Sequence, residues 1–257
     1  MTYKQYLKKE KMKKTIILLS QIFIFIILIV LWELLYKYGL INSFITSSPS
    51  NIIKTIGTLY SKNNLFIHVN TTIIEIIVSF LITCILSILM AIILYSNNFI
   101  YKIIEPYLLM FNSLPKVALG PIIIIWIGAN QKSIIVIAIL ISIIVSFQSI
   151  YNGFINTDKN KIKLLKTYNA SKLDILLYLV LPESKNTIIN TLKINISMCL
   201  IGTITGEFLT SKSGIGYLIL YGSQVFNLNL VMSGIIILLI LSLIIYKIIK
   251  IIIKIVH

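Results

Sequence analysis

The stretch KIKLLKTYNASKLDILLYLVLP, residues 161–182, is a polar segment in a chain that is otherwise rich in isoleucine and leucine. Asn169 is one of the few non-glycine residue types that adopt the left-handed conformation in which many helices end. Ser171 and Asp174 then have the spacing of a capping box, which begins a second helix. Pro182 disfavours helix at the residue before it, so the second helix is predicted to stop there. The stretch predicts two short helices joined by a sharp turn, which a soluble partner could bind. An ordinary capped loop is the alternative.

The composition of the chain indicates a membrane protein. Of its 257 residues 58% are hydrophobic and 12% are charged, whereas soluble domains have about 25% charged residues. All 23 basic residues are lysines, and they cluster outside the apolar runs, which favours orientation in a bilayer over nucleic-acid binding. Cys84 and Cys199 lie in separate apolar runs without metal-ligand spacing, so no disulfide, metal site or cofactor is expected.

Six segments are long and apolar enough to cross the hydrocarbon core, which takes about 20 helical residues. The predicted spans are 15–36, 68–95, 100–127, 132–151, 186–209 and 230–253. Pro106, Pro115 and Pro121 are expected to break the third span. Carbonyl groups freed at that depth must face protein or a water-filled lumen, so this segment is predicted to line a pore. The sequence therefore predicts an all-α integral membrane protein, one domain over residues 1–257 with a tail of about 1–14 and a core of about 50–253.

The distribution of lysines predicts how the chain is oriented. Six lysines precede the first span, six lie between residues 159 and 185, and three follow Tyr246. Because cytoplasmic loops carry an excess of positive residues, these three regions and both termini are predicted to be cytoplasmic. The loops around 43–62 and 210–229 then face outward. No G-x-x-x-x-G-K-[ST] motif occurs in the sequence, so the chain is not expected to hydrolyse ATP through a P-loop.

With this topology, the polar stretch resembles the EAA loop of bacterial ATP-binding-cassette (ABC) importer permeases. The family pattern is roughly E-A-A, three residues, G, about nine residues, then I-x-L-P. The segment LVLP at 179–182 matches its end, and Ala170 with Ser171 matches the Ala-Ser that follows the glycine. Lys163 stands where the family usually has Glu, and Asn169 stands where it has Gly. The lysine reverses the charge, whereas the asparagine keeps the backbone conformation that the turn needs.

Three further motifs extend the resemblance over nearly the whole chain. They are SPS at 48–50, SLPKVALGP at 113–121 with WIG at 126–128, and GEFL at 206–209 followed by SGIGYL at 213–218. In this order they resemble the nitrate, sulfonate and taurine type of permease, a subfamily that also includes permeases for bicarbonate, riboflavin and the pyrimidine precursor of thiamine.

The resemblance implies a multi-pass protein of the bacterial inner membrane that works with three protein partners. A separate ATPase, which binds the ATP, would be coupled through Lys163, Asn169, Ala170, Ser171, Leu181 and Pro182. A solute-binding protein outside the membrane would deliver the solute, and a second permease copy would complete the path among the membrane lipids. The candidate pore or gate residues are Pro115, Pro121, Glu207, Gly214 and Gly216.

Two intramembrane carboxyl groups have more than one interpretation. For Glu207, bonding to the turn at Ser213 and Gly214 is favoured over contact with the solute. For Glu75, exposure at the membrane interface and a role in the pore are equally compatible with the sequence. Gly214 and Gly216 predict a tight re-entrant turn near an outer gate, with an exposed flexible loop as the alternative.

Other functional classes have less support in the sequence. A membrane-embedded enzyme needs ionisable groups gathered at one depth, and the carboxyl groups and two histidines of this chain are scattered. A channel is expected to show a filter-like segment or rings of charge, and neither is visible. A small oxyanion such as nitrate, a sulfonate or taurine is the expected solute; the vitamin precursors and bicarbonate are alternatives.

Overall fold

The computed structural model describes residues 3–41, 46–62 and 64–256, and within these ranges it contains helices and no strand. The helices are α1 (Tyr3–Lys37), α2 (Pro49–Ser61), α3 (Asn64–Ser96), α4 (Asn98–Ser113), α5 (Gly120–Ile127), α6 (Gln131–Ile155), α7 (Lys159–Thr167), α8 (Lys172–Ile175), α9 (Leu181–Glu183), α10 (Lys185–Thr210), α11 (Ile215–Gln224) and α12 (Leu228–Val256). A 3-10 turn (Lys116–Leu119) precedes α5, and a π-helical turn (Leu176–Val180) joins α8 to α9.

Five helices of the described chain are long and apolar enough to span a membrane, namely α1, α3, α6, α10 and α12. The third predicted span is a helix pair in which α4 and the segment Lys116–Ile127 meet at 91°. The break lies at Leu114 and Pro115, and Pro121 stands in the first turn of α5. The predicted all-helical membrane fold is confirmed. The helix α1 also includes the predicted tail, because it begins at Tyr3.

Pro106 does not break the third span, so that prediction is wrong. It lies inside α4, whose residues are all at least partly exposed on the protomer. A proline inside a helix removes one hydrogen bond and bends the axis. One side of α4, with Tyr101, Ile104 and Leu108, packs against the core, whereas Pro106 is exposed, and the helix continues past it to Ser113.

The core of the bundle is formed by α3, α6 and α10, which pack along their lengths through small and hydroxyl side chains. A Cβ atom on Gly202 of α10 would lie 2.5 Å from the Cα atom of Ala138 on α6. Between α3 and α6, the hydroxyl oxygens of Thr83 and Ser142 are 2.9 Å apart. In a lipid environment apolar side chains gain little from leaving lipid, so close backbone approach and interhelical hydrogen bonds hold such helices together.

The helices α1 and α2 attach to one end of this core. Ser48 caps α2 and Pro49 follows it at the first helical position. The indole of Trp32 donates to the carbonyl oxygen of Ser47 at 2.9 Å, and Glu33 accepts from the hydroxyl of Ser50 at 2.9 Å. These contacts lie near the end of α1, whose apolar length is otherwise exposed on the protomer.

The two regions that the sequence singles out lie at opposite ends of α10. The helix has 26 residues, which corresponds to about 39 Å at 1.5 Å per residue. Residues 156–184, here called the loop end, precede it, and residues 206–218, here called the α11 end, include its last turn and the start of α11.

The contact between α6 and α10 yields a test of the fold. Gly202→Ala places a methyl group against the backbone of Ala138, so the two helices must separate, and we expect the free energy of unfolding to fall by about 1–3 kcal/mol. Gly57→Ala is the matched control, because a Cβ atom there has no atom within 4 Å. Thermal unfolding in detergent should show the larger loss for Gly202→Ala; equal losses would contradict the backbone contact.

Candidate functional site

At the loop end, α7 terminates in a left-handed residue, as predicted. Asn169 has φ 58°. Its amide donates to the carbonyl oxygen of Lys166 at 3.0 Å, and the amide of Ala170 donates to that of Leu165 at 3.1 Å. These two hydrogen bonds form a Schellman motif, which satisfies the last carbonyl groups of the helix. The sharp turn between the two helices is therefore fixed by local backbone chemistry.

The predicted capping box begins α8. The amide of Ser171 donates to Asp174 Oδ2 at 2.9 Å, and the amide of Asp174 donates to Ser171 Oγ at 3.2 Å. Hydrogen bonds from the hydroxyl group and the backbone amide of Ser171 lower the pKa of Asp174. The carboxylate therefore stays ionised at neutral pH. Its negative charge stabilises α8, because it lies at the positive end of the helix dipole.

The helix does not stop before Pro182, so that part of the sequence prediction is wrong. After α8 the helix changes to the π-helical turn, in which the amide of Leu181 donates to the carbonyl oxygen of Leu176. Pro182 then stands in the first turn of α9, where its missing amide hydrogen leaves no bond unmade. The amide of Ser184 donates to Val180 at 2.9 Å. The loop is thus connected to α10 by nearly continuous helix.

The underside of the loop is embedded in the bundle. Ile175, Leu176 and Val180 are buried against the ends of α3 and α6, where Phe147 and Phe154 complete the same cluster. An ion pair of 3.1 Å between Lys161 and Glu183 also joins α7 to α9. These contacts attach the loop to the ends of α3 and α6.

The upper surface of the loop exposes large apolar side chains that the sequence analysis did not single out. They are Leu164, Tyr168, Leu173, Leu177 and Tyr178, with exposed fractions from 54% to 76%. They surround the predicted coupling residues, of which Lys163, Asn169, Ser171 and Pro182 are exposed and Ala170 and Leu181 are partly buried. The sequence did contain a signal for this surface, namely large apolar residues within a lysine-rich segment. Such a surface is typical of a protein contact.

At the α11 end, Glu207 is fully buried and accepts hydrogen bonds from two other elements. The hydroxyl of Thr72 on α3 donates to Oε1 at 2.6 Å, and the amide of Gly216 donates to Oε2. Thr72 in turn accepts from the amide of Ile215 at 2.9 Å, and His68 Nδ1 accepts from the amide of Gly214 at 3.0 Å. Remote side chains thereby satisfy the first amides of α11, which have no partner within their own helix.

The turn at Gly214 and Gly216 is buried, so the alternative of an exposed flexible loop is wrong. Gly214 has φ 117°, and a Cβ atom there would overlap the carboxyl group of Glu207. A Cβ atom on Gly216 would lie 2.7 Å from Glu207 Oε2. Both glycines are needed because the backbone passes directly over the carboxyl group.

Glu75 is enclosed by the protomer. Its side chain has no solvent exposure, so the interpretation as a group exposed at the membrane interface is wrong, whereas a role in the pore stays a prediction. Glu75 lies one helical turn after Thr72, whose hydroxyl donates to Glu207 at 2.6 Å, and Gln131 at the start of α6 is also close to it. In the part of the chain that the structure describes, neither oxygen of Glu75 has a hydrogen-bond partner.

The prolines of the broken span lie on the surface of the protomer. Pro115 and Pro121 are exposed, and Trp126 on the same segment is 80% exposed. Gly120, the residue before Pro121, packs against Leu209 in the last turn of α10. The broken span therefore meets the α11 end, although both prolines are exposed and Glu207 and the glycines are buried.

A family model described as "Binding-protein-dependent transport system inner membrane component" matches residues 83–257. The chain belongs to this family. The predicted resemblance to ABC importer permeases is confirmed, and the chain is the permease subunit of such a transporter.

Relatives support this membership over most of the permease. A probable ABC transporter permease protein of Haemophilus influenzae is 28% identical, over 89% of this chain and 93% of its own. The formylaminopyrimidine transport permease protein ThiX of Halalkalibacterium halodurans is 25% identical, over 80% and 82%. The putative aliphatic sulfonates transport permease protein SsuC of Bacillus subtilis is 23% identical, over 82% and 76%.

A solved structure shows the same fold. The inward-facing MetNI methionine ABC transporter matches with a TM-score of 0.64 at 16% identity, over 74% of this chain and 94% of that chain. At this identity the match concerns the fold alone.

The glycine at the α11 end yields a second test. Gly216→Ala forces a methyl group against the Glu207 side chain, and we expect the permease to lose about 1–3 kcal/mol of stability. Gly57→Ala is the control, because Gly57 lies on an exposed face of α2 with no atom within 4 Å of an added Cβ. That variant should gain about 0.5–1 kcal/mol from reduced chain entropy. Equal thermal stability of both variants in detergent would contradict the described turn.

Proposed function

We propose that the permease imports a small oxyanion, such as nitrate, a sulfonate or taurine, with energy from a separate ATPase that binds to the loop end. The loop end is the observation that carries this proposal. It presents exposed apolar side chains on a rigid helix pair, and its π-helical turn leads directly into α10. A partner that moves the loop therefore moves α10 as well, which is the change that alternating access requires.

The exposed coupling surface fits a protein partner better than lipid. Its apolar side chains, Leu173 and Tyr178 among them, are mixed with lysines and with the ionised Asp174. The underside is already occupied by the bundle, so the outer face of α7 and α8 is available for contact. The positive charge of Lys163 implies that the ATPase offers an acidic or neutral surface at that position.

A second copy of the permease would complete the translocation path. The broken segment with Pro115 and Pro121 lies on the outside of one protomer, yet carbonyl groups freed by helix breaks need protein or water as partners. Pairing two protomers across this face would enclose a lumen lined by both segments. It would also supply two loop ends for two ATPase subunits, and a two-fold symmetric homodimer is the simplest arrangement.

The solute is proposed from the relatives. The relative from B. subtilis that is named a putative aliphatic sulfonates permease favours an oxyanion, and the formylaminopyrimidine permease makes a thiamine precursor the second candidate. A solute-binding protein would deliver either solute at the α11 end, outside the inner membrane. Uptake into vesicles that contain the permease, its ATPase and the binding protein tests the proposal, and solute flux without the ATPase would contradict it.

Orientation can be tested by labelling single cysteines. In a background without Cys84 and Cys199, a cysteine at Lys159 and one at Lys212 should react with a membrane-impermeant maleimide from opposite faces of the membrane. We expect Lys212→Cys to be labelled in intact cells and Lys159→Cys to be labelled only after permeabilisation. Labelling of both positions in intact cells would contradict a cytoplasmic loop end.

Coupling can be tested on the exposed face of the loop. Leu173→Glu introduces a charge into the proposed contact without disturbing the buried underside, so the variant should insert normally but no longer co-purify with the ATPase. Ile53→Glu is the matched control, since Ile53 is 71% exposed on α2 at the other end of the bundle. This variant should still co-purify with the ATPase, in a complex of two permease chains and two ATPase chains. Retention of the ATPase by Leu173→Glu would reject this surface.

The turn supplies an internal check on the same assay. Asn169→Gly should transport normally, because glycine adopts the left-handed conformation without strain. Asn169→Val should lose coupling, because a β-branched residue pays about 1–2 kcal/mol to adopt it. Equal uptake by the two variants would show that the shape of the turn is not needed.

A further inference from the structure

Two fully buried carboxyl groups lie side by side behind the first turn of α11. Glu75 belongs to α3 and Glu207 to α10, and neither side chain is exposed to solvent. Their environments differ sharply. Glu207 receives the hydroxyl of Thr72 and the amide of Gly216, whereas in the described ranges both oxygens of Glu75 lack a hydrogen-bond partner.

The charged groups nearby do not compensate two negative charges. Glu75 lies one helical turn after Thr72, which bonds to Glu207, and none of the ion pairs in the described chain involves either carboxyl group. Gln131, from α6, is a neutral amide. His68 of α3 and Tyr217 of α11 stack on each other with their ring centroids 5.8 Å apart, and the histidine already accepts a backbone amide. Adjacent carboxylates in an apolar medium repel strongly, so one of the two must be neutral.

We propose that Glu75 and Glu207 form a binding site for one proton. Glu207 carries the negative charge, because it receives the hydrogen-bond donors and lies at the positive N-terminus of α11. Glu75 is the neutral carboxylic acid, and its O–H group donates to a Glu207 oxygen. The proton therefore links α3 to α10 directly behind the turn that begins α11. This inference rests on the protomer alone and is independent of the proposed solute and partners.

Loss of this proton would place two negative charges in contact inside the bundle. The repulsion acts between α3 and α10, and the amides of residues 214–216 depend on side chains from both helices. The proton site is therefore predicted to hold the α11 end closed, and the doubly ionised pair is predicted to loosen it.

Infrared spectroscopy of the purified permease tests the proton directly. At neutral pH the wild type should show the carbonyl stretch of a protonated, buried carboxylic acid. Glu75→Gln should lack this band while keeping the shape of the side chain. Glu105→Gln, at an exposed carboxyl group on α4, is the matched control and should retain the band. Absence of the band from the wild type, or its survival in Glu75→Gln, would overturn the proposal.

Thermal unfolding over a range of pH gives a second readout. The folded permease keeps a proton that an unfolded glutamate releases above about pH 4.3. The unfolding equilibrium of the wild type should therefore shift toward the unfolded state with rising pH, by up to about tenfold per pH unit from this group. Glu75→Gln should lack this component, and Glu105→Gln should keep it. Parallel pH profiles for the wild type and Glu75→Gln would contradict the proton site.

A monovalent cation is the competing occupant of the same oxygens. Unfolding temperatures measured in sodium chloride and in choline chloride distinguish the two. We expect equal values for the wild type in both salts, since a neutral Glu75 offers no charge to a cation. Stabilisation of the wild type by sodium, absent from Glu75→Gln, would assign the site to a cation and overturn the proton.

Discussion

The buried start of α11 is the constraint on which the α11 end of the permease depends. A helix that begins within a bundle exposes amide groups with no partner in their own helix, and no bulk water is available to bond them. Here His68, Thr72 and Glu207 accept the amides of residues 214–216. Because these side chains come from α3 and α10, the beginning of α11 also fixes the relative position of two spanning helices. The glycines follow from this arrangement, since a side chain at either position would occupy the space of the carboxyl group.

The loop end satisfies the same requirement by local means. Asn169 and Ser171 cap their helices with groups a few residues away, and the polar face of the loop is exposed. Local capping explains why the turn at Asn169 and the start of α8 could be predicted from the sequence residue by residue. The capping at the α11 end joins residues about 140 positions apart, and no periodicity or spacing in the sequence connects His68 or Thr72 with Gly214.

The spans and the broken third span were also predictable, because length and apolarity alone determine them. Three features were not. The π-helical turn admits Pro182 within nearly continuous helix, and a local propensity rule cannot anticipate a change of helical pitch. Pro106 remains inside α4 because it lies on the exposed side of the helix, opposite the residues that pack against the core. The adjacency of Glu75 and Glu207 arises from the packing of α3 on α10, so each carboxyl group appeared isolated in the sequence. In all three cases the deciding factor is a tertiary contact or its absence along the described helix.

Under the proposed function, α10 connects the two ends mechanically. In its second half, Gly202 brings its backbone against Ala138, and one turn later a Cβ atom on Gly206 would lie 3.0 Å from the Cα atom of Ile134. Toward the loop end the same two helices stay in contact, because a Cβ atom on Gly153 would lie 2.9 Å from Thr187 Cγ2 and the hydroxyl oxygens of Ser149 and Thr191 are 2.7 Å apart. The helix α10 is therefore packed on α6 along its length. A force on the loop would then reach the α11 end through α6 and α10 together. There it would act on the groups from α3 and α10 that cap α11, because these groups join the packed helices to the next one.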